Sequence, residues 1–210
     1  MKIEKLKRMI AESKKVVFFG GAGTSTESSI PDFRSSTGLY STEQGWGYSP
    51  EEILSRGFFM SHVEDFYKFY KNKMIFQDAK PNPAHYALAE LEKVGKIKAV
   101  ITQNVDGLHE LAGSKKVLEL HGSVYRNYCM SCGQYYDLEY VMNSEEIVPI
   151  CSKCGGVIKP DVVLYGEILD ESILWEAVYY ISNADMLIVG GTSLIVNPAA
   201  GLVNYYKGNR

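Results

Sequence analysis

Cysteine is scarce in this 210-residue chain, and its four copies fall into two CxxC knuckles. Cys129-Met-Ser-Cys132 is followed, after 18 intervening residues, by Cys151-Ser-Lys-Cys154. Two thiolates separated by two residues converge on one ion, and two such knuckles complete a tetrahedron. The spacing therefore predicts one zinc ion held by Cys129, Cys132, Cys151 and Cys154. Four sulfur ligands leave no open position, so such a zinc is structural rather than catalytic. A redox pair needs only one CxxC, and disulfides are disfavoured where no secretion signal is seen. Gly133 and Gly155 follow the knuckles, where a tight turn calls for a residue free to take a positive φ.

A second set of chemically able residues follows short apolar runs. Gly20-Gly21-Ala22-Gly23 comes directly after Val16–Phe19. Small residues there let a pyrophosphate approach backbone N–H donors near a helix start, with Ser25 and Thr26 as hydroxyl donors. By itself this incomplete GxGxxG is a weak sign, and without a Lys-Ser/Thr ending a P-loop is unsupported. The loop that follows, Ser28-Ser29-Ile30-Pro31-Asp32-Phe33-Arg34 and then Gly38-Leu39-Tyr40, is too rich in Asp, Arg and aromatics for a linker. Asp32 and Arg34 also read as a loop salt bridge. His121 in Glu-Leu-His-Gly-Ser suits a general base at neutral pH. Taken alone, a single histidine is better read as a buried residue bonded to backbone. His62, His85 and His109 read as structural or surface residues.

The elements that must position these residues alternate in type. Ile3, Leu6, Met9 and Ile10 mark one face of a helix over 3–13. Buried strands are expected at Val16–Phe19, Ala99–Thr102 and Met186–Val189, with a short apolar element at Val117–Gly122. Residues 50–76 have a helical pattern rich in aromatics, read as core or cleft wall, and 84–94 form a helix ended at Gly95. Strands alternating with helices and ending in polar loops imply an α/β fold: a Rossmann-like, mainly parallel sheet with helices on both faces. Ligands gather beyond the carboxyl ends of such strands. The segment 125–160 holds all the cysteines and little helical period, so it reads as a small inserted zinc-binding module. The larger unit is then 1–124 with 161–210.

Composition narrows the function classes. With 22 Lys+Arg against 25 Asp+Glu, the net charge is −3, which excludes a strongly basic nucleic-acid surface. Hydrophobic residues at 46% and charged residues at 22% exclude a disordered chain. No apolar run approaches the ~18–20 residues of a membrane helix. The start, MKIEKLKRMIAESKK, has no signal-peptide core.

Several segments together resemble one family, the sirtuins, which are NAD-dependent protein-lysine deacylases. They are GAGTSTESSIPDFRS (21–35), TQNVDGLHELAG (102–113), ELHGS (119–123), the two knuckles, KPDVVLYGE (159–167) and GTSLIVNPAAGL (191–202). They stand in family order and span most of the chain. The resemblance implies a cleft between a Rossmann-like domain and a zinc module, where NAD meets an acetylated lysine peptide. It places Gly21, Ala22, Gly23, Thr26, Asp32, Phe33 and Arg34 against NAD from the first loop. Gln103, Val105 and Asp106 match the nicotinamide and ribose side, with Asn104 and Asp106 as catalytic-loop residues. Thr192 and Ser193 match phosphate and ribose contacts, and His121 matches the general base. Val162, Val163 and Tyr165 match the channel for the substrate lysine, where the extended backbone could also pair with a peptide.

The implied activity transfers the acetyl group from lysine to ADP-ribose, with release of nicotinamide and O-acetyl-ADP-ribose. A base is required to deprotonate a ribose hydroxyl, which is the task of His121. Sirtuins that remove succinyl or malonyl groups carry a Tyr-x-x-Arg pair. The comparable stretch here is Tyr67-Lys68-Phe69-Tyr70, without Arg, so neutral acyl groups are expected. Thr24 and Ser29 replace the family's usual Ile and Gly, and Tyr165 stands where many members have Phe. The resemblance also implies that the family's final strand, its adenosine-side Asn loop and its last helix are missing. Lys207-Gly208-Asn209-Arg210 then matches the turn before that strand. An alternative follows: a catalytically impaired module that binds NAD, ADP-ribose or acyl-lysine. A zinc-containing hydride-transfer enzyme is disfavoured by the closed four-sulfur site. A cytoplasmic monomer without nucleic-acid or membrane partners is expected.

Overall fold

A computed structural model describes residues 2–42 and 45–208. In chain order its elements begin with α1 (Lys2–Glu12), β1 (Val16–Gly20), α2 (Leu39–Thr42), α3 (Pro50–Ile53), α4 (Arg56–Ser61), α5 (Val63–Lys73) and α6 (Pro83–Lys93). They continue with β2 (Ile97–Thr102), α7 (Leu108–Leu111), β3 (Val117–Glu119), β4 (Gly122–Cys129), β5 (Tyr135–Asp137), α8 (Leu138–Met142), β6 (Ile158–Val162), α9 (Glu171–Ser182) and β7 (Met186–Gly190). Short 3-10 turns lie at Ala22–Thr24, Thr26–Ser28 and Ala199–Tyr205.

The apolar runs form a parallel sheet in the order β3-β2-β1-β7. All five residues of β1 are buried, as a strand covered on both faces requires. Its period of two divides the core. Val17 and Phe19, with Ala99 and Ile101 of β2, pack on Ala177 and Ile181 of α9 and on Leu202. Val16 and Phe18, with Val100, pack on Leu88 of α6 and on Met9 and Ile10 of α1. The expected Rossmann-like sheet with helices on both faces is present. Helix α1 holds less than its pattern suggested, because Ile3 and Leu6 face solvent. Asn209 and Arg210 of the expected terminal turn lie outside the described residues.

The second sheet is antiparallel, in the order β5-β4-β6. Its core is shared with α3, α4 and α5, which bring Ile53, Phe59, Phe66, Tyr67, Phe69 and Tyr70 against Val124, Val141 and Ile158. The helical pattern over 50–76 is three helices, not one. Ser49 accepts from the Glu52 amide and starts α3, Ser55 accepts from the Phe58 amide and starts α4 where α3 ends, and α5 starts at His62 without a side-chain cap. The aromatics are a packed core, as expected. Phe59 and Phe66 meet edge-on at 4.8 Å, and no base-stacking surface is formed by these rings. Among the described residues, no helix is long and apolar enough to cross a membrane.

Candidate active site

The parallel strands end at Gly20, Thr102, Glu119 and Gly190, and the site is built from the loops that leave those ends. They surround a cleft of about 650 Å³, whose far wall is the β4–β6 region. Sixteen of the predicted residues line it: Gly21, Ala22, Gly23, Asp32, Phe33, Arg34, Gln103, Asn104, Val105, Asp106, His121, Val162, Val163, Tyr165, Thr192 and Ser193. Thr26 is outside the lining. It is exposed, and its hydroxyl donates to the Gly23 carbonyl at 3.1 Å.

The first loop is small for a reason its sequence did not disclose. The Gly21 amide donates to the Gly190 carbonyl at 3.2 Å and the Gly23 amide to Gly191 at 2.8 Å. A Cβ on Gly23 would sit 2.9 Å from the Gly191 Cα. These glycines let two cleft loops touch backbone to backbone, and these two amides serve that contact. Asp32 organises the next turn, its Oδ1 accepting from the amides of Arg34 (3.1 Å) and Ser35 (2.8 Å). Arg34 pairs not with Asp32 but with Glu51, at 3.8 Å. Ser29 takes φ 64°, the left-handed region that favours glycine.

The loop after β2 is held from three sides. The Gln103 side-chain amide donates to Thr192 Oγ1 at 3.0 Å. Asn104 Nδ2 donates to Ser25 Oγ at 3.0 Å, and Ser25 Oγ donates to Asp106 Oδ2 at 2.7 Å. Ser25 is fully buried and joins the Asn104 and Asp106 side chains through one hydroxyl. Sequence reading named it only as a hydroxyl donor to a nucleotide. Its spacing from Asp106, 81 residues along the chain, carries no local signal.

His121 follows β3. Its Nδ1 lies 2.9 Å from the Gln103 carbonyl, an atom that can only accept. Nδ1 therefore carries the proton of the neutral ring, and Nε2 keeps a lone pair. Burial pushes the His121 pKa below the usual 6.5, and the Gln103 contact opposes this in part. The ring is thus neutral and basic at neutral pH. The Val163 amide donates to the His121 carbonyl at 3.0 Å, which joins His121 to the apolar wall of Val162 and Val163. The Tyr165 hydroxyl meets that of Tyr40 at 2.9 Å, with Arg34 at 3.4 Å. His85 and His109 are buried and lie outside the cleft lining, their rings 4.7 Å apart. His62 stacks on Phe58.

The four cysteines meet at one point, all Sγ atoms within 4.8 Å of one another. Cys129 and Cys154 Sγ are 3.4 Å apart, and Cys132 and Cys151 are 3.7 Å apart. Tetrahedral zinc with Zn–S near ~2.3 Å spaces its sulfurs by about 3.8 Å. The cluster therefore fits one structural zinc ion. Gly133 and Gly155 take φ 71° and 73°, as the knuckle turns required. The cleft likewise fits a dinucleotide. It offers a small-residue loop, carboxamides at Gln103 and Asn104, hydroxyls at Thr192 and Ser193, and room for a ligand of that size.

Fold and site together define a Rossmann-like nucleotide-binding protein with a tetrathiolate module. The comparisons with known proteins sharpen that class. A family profile described as the Sir2 family matches residues 21–198. An NAD-dependent protein deacetylase of Clostridium acetobutylicum is 64% identical over 209 residues, covering 100% of this chain and 85% of that one. One of the same description from Cutibacterium acnes is 50% identical, over 98% of this chain and 83% of its own. Among solved structures, a Sir2 complex with a p53 peptide and NAD+ superposes with TM-score 0.87 at 44% identity, covering 98% of this chain and 82% of that one. Another, with deacetylated p53 peptide and 3'-O-acetyl ADP ribose, superposes with TM-score 0.91 at 42% identity, covering 100% and 85%. The chain belongs to the Sir2 family, the sirtuins.

Proposed function

We propose that this protein is an NAD-dependent protein-lysine deacetylase that moves the acetyl group from lysine to ADP-ribose. The carrying observation is one cleft that joins His121, with Nε2 unprotonated, to the Gln103–Asp106 loop and to the Val162–Tyr165 wall. The high-identity relatives described as NAD-dependent protein deacetylases support the same reading. NAD supplies the ADP-ribose acceptor and nicotinamide as leaving group. In this reading Ala22, Phe33, Arg34, Thr192 and Ser193 bind and orient it. Asn104 and Asp106, pinned through Ser25, hold the carboxamide and ribose side. Phe33 excludes water from the reactive ribose. His121 Nε2 takes the ribose-hydroxyl proton, while Nδ1 stays bonded to Gln103. Zinc takes no part in the chemistry.

The reading includes a division into an NAD-binding unit, 1–124 with 161–210, and a zinc-binding module, 125–160. It extends to neutral acyl groups. Tyr67 and Tyr70 are fully buried in the aromatic core, and Tyr67 donates to the Ile158 carbonyl. Neither offers a partner for an anionic acyl group in the cleft. A cytoplasmic monomer without nucleic-acid or membrane partners completes it, in keeping with the net charge of −3. The test is incubation with NAD and an acetyl-lysine peptide. Nicotinamide, deacetylated peptide and O-acetyl-ADP-ribose are expected in equal amounts. Binding without products would favour a binding module. NADH formation would point to hydride transfer. Faster turnover of a succinyl peptide would overturn the neutral-acyl assignment.

A further inference from the structure

The pairing of β4 with β6 is interrupted at one place. Ser123 opposes Asp161, and the next partner of β6, Pro160, opposes Asn127. Val124, Tyr125 and Arg126 therefore have no partner on β6, although Arg126 still pairs with Asp137 of β5, and such an irregularity re-aims side chains. Val124 and Tyr125 line the cleft, and each of the three residues is tied to a segment that borders it. The Val124 amide donates to the Val105 carbonyl at 3.0 Å. The Tyr125 ring covers Gly107, where an added Cβ would lie 2.7 Å from it. Arg126 reaches two carboxylates on different strands, with NH1 at 2.6 Å from Glu119 Oε2 and Nε at 2.8 Å from Asp161 Oδ2.

Those two carboxylates flank the chemistry. Glu119 ends β3, two residues before His121, and it is 9% exposed. Asp161 directly precedes Val162 in the channel wall. The His121 carbonyl and the Val163 amide bond directly between the same two segments. A planar guanidinium with a fixed fork of donors sets both the distance and the angle between its acceptors, which an ammonium cannot. We infer that Arg126 is a positioning residue for the deacetylation step, locking the segment that carries His121 to the wall that receives the substrate lysine. It touches neither substrate nor base. It acts through Glu119 and Asp161.

This inference rests on the deacetylase reading, and its test separates the two. Arg126→Met strands the buried Glu119 carboxylate, so Arg126→Met/Glu119→Gln is made beside it to remove that charge. Deacetylation is compared with nicotinamide–NAD exchange, which precedes the base step. In the double variant, deacetylation kcat is expected to fall about tenfold, as a small misplacement of a base does. Exchange, KM for NAD and zinc content are expected to stay near wild type. Arg126→Lys, which keeps the charge and loses the fork, should fall between. Wild-type deacetylation in the double variant, or equal loss of exchange and deacetylation, would overturn the assignment. The NMR signal of the His121 ring reads the same displacement without turnover. It should move in the double variant, and an unmoved signal would count against positioning. A wild-type chain without any deacetylation would sink the functional reading instead, leaving the ring signal to judge Arg126.

Discussion

The Gln103 carbonyl accepts from His121 Nδ1 at 2.9 Å, and this one contact decides which ring nitrogen can act as a base. It also joins the loop after β2 to the segment after β3. Replacing His121 by Ala should cut deacetylation by about 10²–10⁴-fold while leaving NAD binding measurable by calorimetry. Full activity in that variant would remove His121 from its role.

The pH profile carries a second expectation. His121 must be neutral to act, and burial holds its pKa below 6.5. Activity should therefore stay flat through neutrality and fall only as pH drops below the ordinary histidine range. An acid limb centred above 6.5 would contradict this.

Ser25 bridges Asn104 and Asp106 through a single buried hydroxyl. Ser25→Ala leaves Asn104 Nδ2 without that acceptor and should destabilise the fold by about 1–3 kcal/mol. It should also lower kcat/KM for NAD more than it alters KM for the acetyl peptide. Steady-state kinetics with each substrate varied in turn would show whether the two parameters separate.

Zinc should contribute to folding and not to chemistry. Chelation, or Cys132→Ala, is expected to release one ion per chain and lower the Tm, because the four cysteines that converge there would be tied together by that ion. Adding zinc back to a chelated sample should restore structure and activity together. Activity that survives complete metal removal would refute this.

His109 gives a stability signature distinct from the active site. Burial, and then the neighbouring His85, hold its pKa at about 3, and neither ring nitrogen has a hydrogen-bond partner among the described residues. The unfolded chain binds the proton at about 6.5 and the folded chain does not, so the unfolded state gains protons first. Stability from this group is full above pH 6.5 and is lost progressively as pH falls toward about 3. Urea midpoints of wild type and His109→Leu, measured between about pH 6.5 and 5, should diverge in slope, while Glu110, whose carboxyl is raised to about 7 by burial, titrates in both chains. Parallel slopes would exclude the effect.

Local signals in the chain were sufficient for the parallel strands and the metal site, but not for α9 or for the antiparallel sheet β5-β4-β6. The buried runs at Val16, Ala99 and Met186 specify strands because each is covered on both faces, and a parallel sheet then places their loops at one edge. The CxxC spacing and the glycines after it specify the zinc cluster because ligand convergence there is a matter of a few adjacent residues. The break between α3 and α4 turned on the Ser55 cap, which competes weakly with a strong apolar pattern until packing selects it, and the break before α5 at His62 has no side-chain cap at all. Family motifs carried the names of the cleft residues, but not how they are held. The commitment of Gly21 and Gly23 amides to the Gly190–Gly191 loop, the Ser25 bridge and the Arg126 fork all join residues far apart in sequence. Such contacts leave no periodicity and no spacing to read. They exist only once the sheet has brought its strand ends together, so composition and motif determine which chemistry is present, and tertiary packing determines which atom is free to perform it.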